Sequence, residues 1–189
     1  MPWHKRAFDI VFSSLALLLL SPLIVATAVA VKLTSKGPVL YISERVGRGN
    51  QLFAMPKFRS MKADTPVVAT HLLSHANRYL TPIGSFLRRS SLDELPQLFC
   101  ILKGDMSFVG PRPALYNQND LISARTELGI EQLVPGLTGW AQVNGRDDLP
   151  IPIKVNFDRQ YLENRSFALD LKIIWLTLVR VIQSDGVAH

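Results

Sequence analysis

Between Asp9 and Lys32 the chain runs for 22 residues, positions 10–31, without a charge. No later stretch approaches that length. About 20 apolar residues suffice for a helix to cross the hydrocarbon core of a bilayer. A soluble fold would have to bury this segment on every side, so a membrane address is the first expectation.

Three readings of the segment compete. A cleaved leader has some support in basic Lys5-Arg6 and the small residues Ala26-Thr27-Ala28. The run is longer than a usual leader core, however, and Ser21-Pro22 falls awkwardly in its middle. A spanning helix fits the length, yet basic residues flank both ends, and the positive-inside rule places such residues on one side only. The third reading turns on Pro22, which removes a backbone donor and crowds the carbonyl four residues earlier. It divides the run into arms of ~15–18 Å at 1.5 Å per residue. A helix–break–helix that enters and leaves by one face would put both basic flanks on the anionic leaflet, at ~1 kcal/mol per Lys or Arg. Ser21 would then serve the backbone groups freed at the break. A kinked spanning helix and this re-entrant hairpin are equally compatible with the physics.

Charge is as unevenly placed as grease. The 189 residues carry 21 Lys and Arg against 15 Asp and Glu, a formal net charge of +6. Residues 1–36 contribute +3, residues 37–112 contribute +5, and residues 113–189 contribute −2. With 48% hydrophobic and 19% charged residues the chain is no disordered polymer. A single cysteine, Cys100, excludes a disulfide framework or a Cys-rich zinc site. A basic, apolar chain suits either nucleic acid or a membrane. Here the basic residues alternate with Gly, Pro and acids instead of forming one stripe, so no nucleic-acid partner is expected.

The remaining sequence reads as one domain over 37–189, mixed α/β and mainly helical. Strands are expected at 38–42 and 51–55, joined across Gly47 and Gly49. Helices are expected at 72–79, 81–89, 92–103 (stopped by Gly104), 118–128, 156–163 and 169–183. The last is apolar over much of its surface and is expected to touch the bilayer in part.

Chemistry concentrates in a few short segments. At 88–98, Arg-Arg-Ser-Ser-Leu-Asp-Glu-Leu-Pro-Gln-Leu sets two carboxylates, Asp93 and Glu94, beside Arg88 and Arg89 at a helix mouth. Ser91 and Glu94 have capping-box spacing. Free N–H groups at such a terminus favour anions, and Mg²⁺ takes one or two carboxylates plus phosphate oxygens. At 111–113, prolines lock the backbone on both sides of Arg112, which suits a bidentate clamp on phosphate. Lys57 and Arg59 form a further basic pair around Phe58. In 135–146 the glycines permit close backbone approach to a ligand, Asn144-Gly145 has hairpin-turn chemistry, and Trp140 is a candidate for stacking on a base.

Each segment alone is weak. In order, K-F-R-S-M at 57–61, L-D-E-L-P-Q-L at 92–98, G-D-M-S-F-V-G-P-R-P at 104–113 and P-G-L-T-G-W-A-Q-V-N-G-R at 135–146 closely resemble the bacterial sugar transferases. These are monotopic polyprenyl-phosphate phosphoglycosyl transferases, and the match is to their small, single-domain form. The resemblance implies a re-entrant membrane helix over 1–36, broken at Ser21-Pro22, and a cytoplasmic catalytic domain on the inner membrane of a bacterium. It implies transfer of a phosphosugar from a UDP-sugar to undecaprenyl phosphate, with release of UMP, through a covalent intermediate on Asp93. Glu94 is then the Mg²⁺ ligand, with Asp158 of a D-x-x-Y segment as a second candidate. Lys57, Arg59, Arg88 and Arg112 would hold phosphate, and Arg146 the uridine end. One departure is Ser43-Glu44-Arg45-Val46-Gly47-Arg48-Gly49, where the family's Q-x-R-x-G-x-x-G loop is shortened or shifted.

Overall fold

The apolar run becomes one long helix, α1 (Trp3–Thr34), in a computed structural model that describes residues 1–62, 64–66, 76–145 and 149–182. At 1.5 Å per residue, its 32 residues extend ~48 Å. Helical backbone continues through the Ser21-Pro22 pair, where the break is expected. Proline leaves the Leu18 carbonyl without its usual donor. The Ser21 hydroxyl supplies one, at 2.8 Å from Leu18 O.

One side of α1 lies along the rest of the chain. Ala16 and Leu17 pack on a cluster of Met55, Leu98, Cys100, Ile101 and Met106. Ile24 and Ala28 pack with Val31 on Phe58 and Leu87. Both ends are tied to the same body. Near the start, Lys5 Nζ contacts Asp170 at 2.6 Å, and Arg6 donates to the carbonyls of Ile101 and Leu102 at 2.6 and 2.7 Å. Asp9, fully buried, accepts from the Phe108 N–H at 3.1 Å. At the far end Arg59 donates to Ser35 O and Oγ at 2.8 and 2.7 Å. The other side is bare and apolar, with Leu18 and Leu19 exposed by 71% and 66%. A core helix of a soluble protein does not look like this; an apolar patch of this extent marks a lipid or partner surface.

Strands β1 (Leu40–Val46) and β2 (Leu52–Phe58) form the expected hairpin, longer than the spacing indicated, with Tyr41 opposite Lys57. Helix α2 (Gly84–Arg89) is shorter than expected, and of 72–79 only the 3-10 turn Ala76–Tyr79 is described, residues 72–75 lying outside the described residues. The helix expected at 92–103 divides in two. Pro96 offers no N–H, and its stretch, Leu92–Gln97, tightens into 3-10 turns before α3 (Leu98–Lys103) begins. Gly104, at φ 105°, closes α3 as expected.

A second sheet was not legible. Strand β3 (Ser107–Val109) lies parallel to β4 (Gly136–Thr138), with α4 (Asn119–Glu127) between them in sequence. Gly110 and Gly136 abut backbone. A Cβ on Gly136 would collide with the Gly110 backbone, and one on Gly110 with Val134 O. They let two motif segments pack backbone to backbone. Asn144-Gly145 makes no hairpin and ends the short helix α5 (Gln142–Gly145). Helices α6 (Ile151–Asn164) and α7 (Phe167–Ile182) complete the fold. Ile173 of α7 is buried in the main core, while Leu171, Trp175 and Leu178 are exposed.

Candidate active site

The 3-10 stretch carrying Asp93 and Glu94 packs against β2, and this contact builds the site. Lys57, near the end of β2, reaches Glu94 Oε1 at 2.7 Å. Arg112, from the loop after β3, reaches the same oxygen at 3.0 Å through Nη2. The capping box is therefore not formed. Ser91 takes a left-handed backbone (φ 56°) with no side-chain cap bond, and Glu94 turns to the two cations instead. A serine in that region stores strain of about 1–3 kcal/mol, of a kind that collects at functional turns.

The two carboxylates sit in opposed electrostatic states. Asp93 is 7% exposed, and burial pushes its pKa up to about 6. Lys57, Arg88 and Arg112 pull it down while Glu94 pushes it further up. Burial also raises Glu94, but Lys57 and Arg112 outweigh it and hold that carboxyl well below the usual range. Adjacent carboxyls driven apart in this way are a recognised sign of divided roles. Near neutral pH, Glu94 is a fixed anion and Asp93 a buried, poorly solvated one.

Lys57, Arg88 and Arg112 thus converge on the acidic pair, Arg88 also donating to Met61 Sδ at 3.3 Å. Two other expected residues do not join them. Arg59 is buried at the end of α1, on Ser35. Asp158 is 1% exposed, and its Oδ2 accepts from Arg125 Nε and Nη2 at 3.0 and 2.7 Å. Buried against Arg125, it stands apart from the Asp93–Glu94 pair that it is expected to join as a metal ligand. Arg146 lies outside the described residues. Trp140 donates from Nε1 to Gln160 Oε1 at 3.1 Å and lies under Lys172, an anchor and not an open platform.

Among the described residues no group of three or more His, Cys, Asp or Glu is placed to hold a metal. One ionised carboxylate, Glu94, beside a second, Asp93, is too small a set for an all-protein cage. It does match the way Mg²⁺ binds, through one or two carboxylates with substrate phosphates and water supplying the rest. A cavity of about 350 Å³ between the starts of α1 and α7 contains neither carboxylate. The site is marked by charge convergence and not by depth. Sequence reasoning missed Arg125. Its one signal was a charged residue four positions after Leu121, on the buried face of α4.

The sequence model of the family described as "Bacterial sugar transferase" matches residues 2–184. An undecaprenyl-phosphate glucose phosphotransferase of Komagataeibacter xylinus is 44% identical over 96% of this chain and 36% of its own length. A UDP-glucose:undecaprenyl-phosphate glucose-1-phosphate transferase of Escherichia coli (strain K12) is 42% identical over 93% of this chain and 39% of its own. The chain therefore spans less than half of these two relatives. It spans 89% of the uncharacterized sugar transferase EpsL of Bacillus subtilis (strain 168), at 39% identity over 97% of its own length.

Proposed function

The chain belongs to the bacterial sugar transferase family, and on that premise we propose that it moves a phosphosugar from a UDP-sugar to undecaprenyl phosphate, an opening step in building a glycoconjugate. The observation that carries this reading is the meeting of Lys57, Arg88 and Arg112 around adjacent Asp93 and Glu94. Phosphoryl transfer depends mainly on positioning and on neutralising phosphate charge, and this set does both.

In the proposed sequence an oxygen of ionised Asp93 attacks the β-phosphorus of the donor. The bond from that phosphorus to the bridging oxygen breaks, and UMP leaves. A phosphate oxygen of the lipid then attacks the aspartyl phosphosugar, which regenerates the carboxylate and gives the diphosphate-linked sugar. A carboxylate nucleophile divides one difficult displacement into two. Arg112 and Lys57 are the groups that hold the diphosphate, with Arg88 beside Asp93. Glu94 would hold Mg²⁺, which supplies charge neutralisation on the phosphate oxygens.

Membrane placement follows the same proposal, with 1–36 as the membrane segment and 37–189 as the catalytic domain at the cytoplasmic face of the inner membrane. Both ends of α1 contact the same body, which supports placing both basic flanks on one side of the membrane. That favours a re-entrant segment over a spanning one, with the bare face of α1 in lipid. The proposal is tested by incubating the protein in lipid nanodiscs with undecaprenyl phosphate, Mg²⁺ and a panel of UDP-sugars. UMP release with at least one sugar is expected; no release with any sugar would reject the reading.

A further inference from the structure

The Pro111-Arg112-Pro113 turn has one backbone N–H, that of Arg112, so it cannot join a sheet by its donors. It is held by its carbonyls instead. Pro111 O accepts from the Gly136 N–H at 2.9 Å, Arg112 O from Arg125 Nη1 at 2.8 Å, and Pro113 O from Arg45 Nη1 at 3.2 Å. Pro111 and Pro113 are also buried, and with Arg125 they wall a small void of about 30 Å³ behind the turn. The flanking prolines restrict the backbone around Arg112, but they do not set where its carbonyl points. Arg125 does.

Arg125 is itself fixed. It is 8% exposed on α4, and its remaining fork, Nε and Nη2, closes on Asp158 of α6. The chain of contacts runs from Asp158 to Arg125, to the Arg112 carbonyl, and through the Arg112 side chain to Glu94 Oε1 at 3.0 Å.

We propose that the buried Arg125–Asp158 pair is a positioning pair that holds the proline-flanked turn so that Arg112 meets Glu94 and the donor diphosphate. Neither residue touches substrate. Arg45, from the segment where this chain departs from the family pattern, is a second tie on the same turn. The proposal rests on the phosphosugar-transfer reading for its kinetic effect, although its geometric content does not.

A merely structural pair and a positioning pair respond differently to repacking. Arg125→Met alone strands a buried carboxylate and is expected to lower the melting temperature. Adding Asp158→Leu removes the stranded charge, and exchange of a buried ion pair for apolar residues is often neutral or stabilising. The double variant should therefore regain the wild-type melting temperature while leaving Arg112 O without its donor. Its kcat for UMP release is expected to stay about 100-fold down, the scale of a ~1 Å misplacement. Recovery of kcat together with stability would overturn the proposal. If the double variant does not fold, Arg125→Lys replaces it. Lysine keeps the charge opposite Asp158 but lacks the fork that reaches both partners, and kcat should fall with little loss of stability; full kcat would overturn the proposal. A crystal structure of the folded variant supplies an activity-independent readout. Arg112 Nη2 should have left Glu94, and its retention within hydrogen-bond distance would refute the proposal. A wild-type protein that releases no UMP would sink the transfer reading, and that structure would still decide the positioning claim.

Discussion

Replacing Asp93 by asparagine is expected to stabilise the protein while abolishing its turnover. Burial is the chief reason the Asp93 carboxyl stands at about 6, against an ordinary 3.8. A carboxyl whose pKa is raised by folding favours the fold while protonated. That advantage is complete below the unfolded value and disappears as pH rises through the folded one. At pH 7.5 the ionised side chain therefore burdens the fold by about 3 kcal/mol at 1.36 kcal/mol per pKa unit. Since Asp93 is only 7% exposed, solvent screening removes little of this. Asparagine has nearly the same shape and no charge to desolvate, so Asp93→Asn recovers most of the penalty. With about 2–4 °C per kcal/mol for a chain of this size, the melting temperature should rise by ~6–12 °C at pH 7.5. At pH 5 the folded carboxyl is largely protonated while the unfolded one is still ionised, so about half of the penalty remains and the gain should shrink to ~3–6 °C. Differential scanning calorimetry in detergent at the two pH values measures both. A melting temperature that falls at pH 7.5, or a gain of equal size at pH 5, would refute the argument that desolvation dominates at Asp93.

Two further outcomes are expected. Arg59→Ala should lower the melting temperature through loss of its charged hydrogen bonds to half-buried Ser35, about 1.5–3 kcal/mol. Its KM for the UDP-sugar should stay near wild type, and a large rise in KM at unchanged stability would return Arg59 to the phosphate site. In a Cys100→Ser background, Pro2→Cys and Lys36→Cys should both label from the cytoplasmic side of inverted vesicles. Labelling from opposite sides would mean that α1 spans the membrane.

The motifs were legible where chemistry is local to a few residues, and less so where the outcome depended on distant partners. Adjacent Asp93-Glu94, the proline-locked Arg112 and the basic Lys57 are visible as a charge pattern, and the fold brings them together. The capping box at Ser91 and Glu94 obeyed a local rule that lost to two cations arriving from β2 and the β3 loop. Arg59 stands two residues from Lys57 in the same basic segment, yet only Lys57 faces Glu94. Residues two apart in a strand share a face, but β2 ends at Phe58, and Arg59, just past it, is turned to the end of α1. Asp158 is a ligand candidate through its D-x-x-Y match, and nothing in that segment announces Arg125, 33 positions earlier. At Ser21-Pro22 both the proline's missing donor and the serine's remedy are legible, and one hydroxyl on Leu18 O serves the carbonyl that proline abandons. The parallel β3–β4 pair is three residues a side, too short for periodicity to register.

The central claim is that Asp93 itself carries the phosphosugar. Intact-protein mass spectrometry after incubation with a turnover-competent UDP-sugar and Mg²⁺, but no lipid phosphate, tests it most directly. The account predicts a mass increase of one sugar phosphate, localised by peptide mapping to Asp93 and discharged on addition of undecaprenyl phosphate. An adduct on any other residue, or UMP release that requires the lipid and leaves no adduct, would contradict it.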